Sequence, residues 1–304
     1  MSIKKHQIYS AFGLTIFSEH PLPELELSAG KPDVNIRYGT VPEHLEKPDF
    51  TAVRFEASHG DFLLRVDGVA RFRVKNGNEI IIDKKAEIQD HDVTLFLMGS
   101  AIGALLHQRG ILPVHGSSVC RDGEAIIFAG VSGAGKSTLA GAFIKKGYQL
   151  LADDISAIVL DDQKEPVVLP GYPQIKLWAD ALKKLGENPK AYKTLRIGID
   201  KRKLPVRESF CNFPHPVKAI VVLSSHNGNE KEVEKINGTD RFNIIKNQTY
   251  RFNYLEGLGQ KDQHFILAGK AAGSIPIFRL KRPAKEFDPE KLADYLLEEV
   301  FKPV

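Results

Sequence analysis

Apolar and polar residues alternate with period two through much of the chain before residue 90. Val34-Asn35-Ile36-Arg37-Tyr38 is the clearest run, and Ile8 to Phe12 and Leu14 to Phe17 are two more, separated by Gly13. A meander is expected from Phe50 to Asp83. Its sharpest hairpin sets Phe72 and Val74 on one side of Asn76-Gly77 and Ile80 and Ile82 on the other, with Asn-Gly supplying the positive φ of a tight turn. From Asp92 the period lengthens. Leu95, Met98, Ile102, Leu105 and Leu106 recur at spacings of three and four, which predicts a helix to about Arg109 stopped by Gly110. The change of period sets a domain boundary near residue 90, with a β-rich N-terminal domain over 1–90 and a second domain over 91–304.

The second domain alternates strands and helices. Apolar strands are expected at Ile111 to Val119 and Glu124 to Ala129, then a helix from Lys136 to Lys146 capped by Gly147, and a strand from Tyr148 to Ala152. A hairpin follows, Ser156 to Leu160 and Pro166 to Leu169 around the polar turn Asp161-Asp162-Gln163-Lys164-Glu165. Further on come a helix from about Leu177 to Leu185 with the only tryptophan, Trp178, and a buried strand from Ala219 to Leu223. Helical stretches over 238–256 and 262–271, a strand from Ile275 to Leu280 and a closing helix from Asp288-Pro289 to Val300 complete it. The succession reads as an α/β fold.

Composition narrows the classes. With 304 residues and 42% apolar content the chain is an ordinary globular protein with a sizeable core. Cys120 and Cys211 are far apart, form no C-x-x-C pair and have no histidine at ligand spacing. Both read as small buried apolar side chains, with neither a disulfide nor a zinc site indicated. No apolar leader follows Met1, and the longest apolar run, Leu95 to Leu106, is too short to span a bilayer, so a cytoplasmic protein with no membrane partner is expected.

The formal net charge of +4 is modest, and no nucleic-acid partner is read from it. It is unevenly placed, with basic residues crowded between Lys176 and Arg207. Either that block steers an acidic or phosphorylated partner or it is a solvated face.

Gly130-Val131-Ser132-Gly133-Ala134-Gly135-Lys136-Ser137-Thr138 matches the phosphate-loop pattern G-x-x-x-x-G-K-[ST]. It follows an apolar strand and opens a helix, as the chemistry requires. Glycines let successive N–H groups turn toward one anion, and the helix start adds unpartnered amides and a positive dipole end. In this pattern Lys136 lies along the β and γ phosphates of the nucleotide and the Ser137 hydroxyl holds Mg2+. A second carboxylate at a strand end is needed. Asp161-Asp162 and Asp153-Asp154 compete for that place; the former sits in a turn, where aspartate has backbone reasons to be, so Asp153-Asp154 is preferred. Adjacent carboxylates on an extended chain point to opposite sides, which assigns them different tasks, one on the metal and one on an attacking hydroxyl.

The order His115-Gly116, then this loop, then Leu151-Ala152-Asp153-Asp154 resembles HPr kinase/phosphorylase over residues 110 to 162. The resemblance implies a P-loop kinase core like that of phosphoenolpyruvate carboxykinase, ATP and Mg2+ as cofactors, and a serine on a protein or peptide as acceptor. It implies that Asp153 is the base, that Asp154 is a metal ligand with Ser137, that His115 lies near the transferred phosphoryl group, and that a homo-oligomer is open. Thr138 stands where that family has glutamate, and the β-rich N-terminal part differs from its usual N-terminal domain. With Tyr172-Pro173 and Leu177-Trp178, the chain looks more like the related serine kinases that act beside peptide-modification genes, such as lasso-peptide kinases. The alternatives are a nucleotide-binding regulatory module and a small-molecule P-loop kinase. No Asn-Lys-x-Asp motif supports a GTPase.

Overall fold

The computed structural model describes residues 7–196, 199–284 and 287–301. In chain order the strands of the first part are β1 (Gln7–Ala11), β2 (Leu14–Ser18), β3 (Glu26–Leu27), β4 (Val34–Tyr38), β5 (Phe50–Thr51), β6 (Phe55–Ser58), β7 (Asp61–Val66), β8 (Ala70–Lys75) and β9 (Glu79–Lys84). Helices α1 (Asp90–Phe96) and α2 (Ile102–Gln108) follow, joined by a π-helical stretch, Leu97–Ala101. Next come β10 (Leu112–Arg121), β11 (Glu124–Gly130), α3 (Lys136–Lys145), β12 (Gln149–Ala152), β13 (Ile155–Leu160), β14 (Pro166–Leu169), β15 (Gln174–Trp178) and α4 (Ala179–Lys184). The rest comprises β16 (Thr194–Arg196), β17 (Ile199–Pro205), β18 (His215–His226), β19 (Glu232–Ile236), α5 (Asp240–Gln248), α6 (Leu255–Leu258), α7 (Lys261–Ser274), β20 (Ile277–Pro283) and α8 (Pro289–Glu299).

These elements group into two compact units, Met1–Pro113 with Thr249–Ala268, and Val114–Gln248 with Gly269–Val304. The change of hydrophobic period at residue 90 therefore marks a new element rather than the edge of a unit. The helical stretch after it buries Val93, Leu97, Ile102 and Leu105, and α2 packs on β8 and α6, so its apolar face is satisfied within the first unit. The first unit carries a nine-stranded sheet in the order β3-β1-β2-β4-β9-β8-β7-β6-β5. In its β8–β9 hairpin Phe72 faces Ile82 and Val74 faces Ile80, with Asn76 and Gly77 at φ 51° and 65°.

The second unit is built on the order β11-β10-β13-β14-β18-β20-β19, with β12 added on β10 and β11 also paired to β18. The start of β18 pairs with β14; the rest runs parallel to β11 and β20. Alternating apolar residues of the central strands, Val119, Ile126 and Phe128, meet Leu139 and Phe143 of α3 and Leu292 and Leu296 of α8 in one core. Phe128 and Phe143 meet as tilted rings with centroids 4.9 Å apart. Removing a fully buried side chain such as Leu139 costs about 2–5 kcal/mol, so the helix behind the glycine loop is firmly seated. A third sheet, β15-β17-β16, stands beside it. There the helix expected from Leu177 begins later, at Ala179. Ile175 and Leu177 alternate into the core as strand residues, and Trp178 is left 44% exposed opposite Lys201.

Candidate functional site

Strand β11 ends at Gly130, and the turn to α3 is made by three glycines with φ of 137° (Gly130), 83° (Gly133) and 103° (Gly135). A Cβ at Gly130 would stand 2.7 Å from the Leu223 carbonyl oxygen, so the close approach to β18 excludes any side chain there. Gly130 N donates to Gln248 Oε1 at 2.8 Å. On the other side of the turn, Arg282 Nη2 donates to the Ala134 carbonyl at 3.1 Å, and its guanidinium lies 4.2 Å over the Phe287 ring. Gly135 is the N-cap of α3, and no side chain caps it. The amides of that first turn lack intrahelical partners and carry the positive end of the helix dipole.

Lys136 is buried and bent back over the loop. Its Nζ donates to the carbonyls of Gly130 (2.9 Å) and Val131 (3.1 Å) and meets His115 Nε2 at 3.1 Å. An ammonium has no acceptor, so Nε2 must accept; His115 Nδ1 then carries the proton and donates to the Asp154 carbonyl at 3.1 Å. Burial, with the charge of Lys136 added, lowers the His115 pKa and keeps this neutral tautomer. Burial also lowers the Lys136 pKa, against the pull of Asp154 and Asp153.

The two carboxylates differ sharply. Asp153 is buried, with Oδ1 accepting from Ser117 Oγ at 2.6 Å and Oδ2 from the Lys176 amide at 2.8 Å. Ser117 Oγ in turn stands 3.4 Å from Ser137 Oγ, tying Asp153 to the foot of the loop. Burial and the neighbouring Asp154 charge raise the Asp153 pKa. Asp154 has φ 68°, a left-handed backbone uncommon outside glycine and tolerated best by Asn and Asp. Its Oδ2 accepts from Lys176 Nζ at 2.6 Å. Burial acts to raise its pKa, but the Lys176 charge and hydrogen bond outweigh it and hold Asp154 at about 2. Lys176, buried itself, is correspondingly raised well above its ordinary value by Asp154, despite desolvation.

Asp154 opens on a cleft of about 160 Å³ that Ser132, Gly133, Gly135, Lys136, Ser137 and Thr138 also line. Four ammonium groups (Lys136, Lys176, Lys184, Lys201) face two carboxylates (Asp154, Asp180) around it. That excess of positive charge beside an uncapped helix start fits a polyphosphate, and Ser137 with the acid pair offers the hard oxygen donors that suit Mg2+. Of the residues expected from the sequence, Lys136, Ser137, Thr138, His115 and Asp154 are brought to the cleft. Asp153 lies buried behind it. Gly130, Val131 and Ala134 contribute through backbone: the first two carbonyls hold Lys136, and the third holds Arg282.

Sequence reasoning missed Ser117 and the specific lysines. Ser117 follows His115 by two along β10, so strand periodicity puts both on one face and could have found it. Lys176, Lys184 and Lys201 belong to the basic block between 176 and 207, and these three face the cleft rather than forming only a solvated surface. Both cysteines are buried, as expected, but a histidine does stand at ligand spacing from one of them. Cys211 and His215 are four residues apart, and together with Cys120 their ligating atoms all lie within 4.8 Å of one another.

No family model matches the chain, and no curated protein matches it. Among solved structures, the HPr(Ser) kinase/phosphatase from Coxiella burnetii aligns with a TM-score of 0.33 at 14% identity, covering 61% of this chain and 93% of that one. No helix among the described residues is long and apolar enough to cross a membrane.

Proposed function

We propose that this chain is an ATP- and Mg2+-dependent kinase that transfers the γ-phosphoryl group to a serine hydroxyl of a protein or peptide. The observation that carries the reading is the convergence of Lys136, Ser137 and Asp154 on one cationic cleft at an uncapped helix start. Phosphoryl transfer asks little covalent work of a protein; it needs positioning and neutralisation of charge on the phosphoryl oxygens. The loop amides and Lys136 bind the polyphosphate. When a nucleotide enters, Lys136 exchanges its Gly130 and Val131 carbonyls for phosphate oxygens, which are stronger acceptors. Lys176 and Lys201 also line the cleft and add positive charge.

The family pattern gives Asp153 the task of base and Asp154 that of metal ligand. The hydrogen bonds favour the reverse allocation. Asp153 Oδ1 is engaged at the loop's foot with the Ser117 hydroxyl beside Ser137, and Oδ2 is held by the Lys176 amide of β15, so Asp153 and Ser137 would hold Mg2+. Bound there, the metal supplies Lewis-acid neutralisation of the phosphate oxygens. Asp154 faces the space an acceptor would occupy. Held ionised by Lys176, it orients the incoming hydroxyl as a hydrogen-bond acceptor and takes its proton once bonding to phosphorus has made that proton acidic. The buried, neutral His115 steadies Lys136 and, through Nδ1, the backbone of Asp154. A cytoplasmic protein and a homo-oligomer belong to the same reading.

The test is incubation with γ-labelled ATP and Mg2+ in the presence of serine-bearing peptides and cell protein. Acid-stable label on serine supports the proposal. ATP binding without label on any acceptor would identify a regulatory module, and label confined to small metabolites a small-molecule kinase.

A further inference from the structure

The chain has two cysteines, and the fold brings both to one point away from the cleft residues. Cys120 lies near the end of β10, paired with Ala125 of β11 and Gln149 of β12. Cys211 belongs to the connection between β17 and β18, where its amide donates to the Leu150 carbonyl at 2.9 Å. His215 opens β18 opposite Val168 of β14. Cys211 Sγ stands 3.0 Å from His215 Nε2, and all three ligating atoms fall within 4.8 Å.

With Zn–S of about 2.3 Å and Zn–N of about 2.0–2.1 Å, a tetrahedral site sets neighbouring ligand atoms about 3.5–3.8 Å apart. Cys211 Sγ and His215 Nε2, at 3.0 Å, would move slightly apart to receive an ion, and no pair of the three ligand atoms is more than 4.8 Å apart. Both cysteines are buried while His215 is partly exposed, so the group has a protein side and a wet side. Soft sulfur with imidazole selects a zinc-class cation over magnesium.

We propose that Cys120, Cys211 and His215 bind one zinc-class divalent cation, with water in the fourth position. Binding releases the two thiol protons and leaves imidazole neutral, so two thiolates balance the charge of the ion. The cation ties β10, which carries His115 and Ser117, to the segment that follows the Lys201 strand. It acts as a staple, and the assignment stands independently of the kinase reading.

The test uses the full chain, stripped with a chelator under reductant and titrated with Co2+ as probe. Expected are thiolate-to-cobalt charge-transfer absorption and intense visible bands that saturate at one ion per chain and are bleached by Zn2+. Loss of a direct ligand exceeds the roughly 10–100-fold effect of an outer-shell change, so Cys211→Ser and His215→Ala should each weaken Zn2+ by at least about 100-fold in competition with a chromophoric chelator. His215→Ala alters a partly exposed side chain, and its circular dichroism spectrum separates loss of a ligand from loss of fold. Asp154→Asn should leave the cobalt spectrum unchanged. Weak octahedral cobalt bands without charge transfer, an adduct that survives both ligand substitutions, or a Cys120–Cys211 disulfide in protein purified without reductant would each overturn the proposal.

Discussion

Two Asp-Asp pairs lie close together in the chain and meet opposite fates. Asp161 and Asp162 are exposed in the turn between β13 and β14, where Asp161 Oδ1 accepts from the amides of Gln163 (2.9 Å) and Glu165 (2.8 Å). That carboxylate completes a backbone turn. Asp153 and Asp154, at the end of β12, are surrounded instead by Ser117, Lys176 and the glycine loop, and their ionisation is driven apart. The same dipeptide thus serves the backbone in one place and electrostatics in the other. The difference comes from what distant segments bring to it, Lys176 above all.

The largest contrast is expected in phosphoryl transfer. Asp154→Asn should reduce labelled transfer by about 10²–10⁴-fold while leaving nucleotide affinity within a few-fold, and Asp161→Asn should leave both unchanged. Equal losses from the two substitutions would show that Asp154 has no role in transfer beyond that of the turn aspartate. A second effect concerns stability. Lys176→Met leaves Asp154 ionised without its partner, and about 2 kcal/mol should be lost at neutral pH, less than for a fully buried pair because the Asp154 side chain is 31% exposed.

The sign of the pH dependence follows from the depressed folded-state value. Stabilisation by Asp154 is complete above the ordinary carboxylate range near 4 and fades as pH falls through about 2. The gap between wild type and Lys176→Met in urea unfolding should therefore shrink toward pH 2, and a gap that widens on acidification would reverse the assignment. In the same variant Asp153 loses a cation that lowers its pKa, so the acid limb of transfer should move to higher pH. The smallest effect is expected at the turn. Asp161→Ala should cost about 1 kcal/mol by chemical denaturation, with transfer intact.

Much of this contrast can be read along the chain. Asp161 sits between two apolar β-runs, which marks a turn locally, and the glycine spacing with its flanking strand and helix marks the loop. Local signals cover the β8–β9 hairpin and the α8 start, where Asp288 caps and Pro289 opens the helix. What escaped depends on long-range pairing. Lys176 reaches Asp154 only because β15 lies where its amide also meets Asp153, and nothing near Lys176 in the chain announces that. The division of units at Pro113/Val114 depends on how Thr249–Ala268 returns, again a non-local fact. Cys120 comes to Cys211 and His215 only through the fold, while the four-residue Cys211–His215 spacing stands in the sequence and was passed over.

The proposed kinase requires that the cleft at the start of α3 hold a nucleotide's phosphates through Lys136. Calorimetric titration of the protein with Mg·ATP tests it most directly. One site per chain is expected, weakened by added salt and by about 10–100-fold in Lys136→Met, the loss of one charge-assisted hydrogen bond to phosphate. Undetectable binding to the wild type, or an affinity that Lys136→Met leaves unchanged, would contradict it.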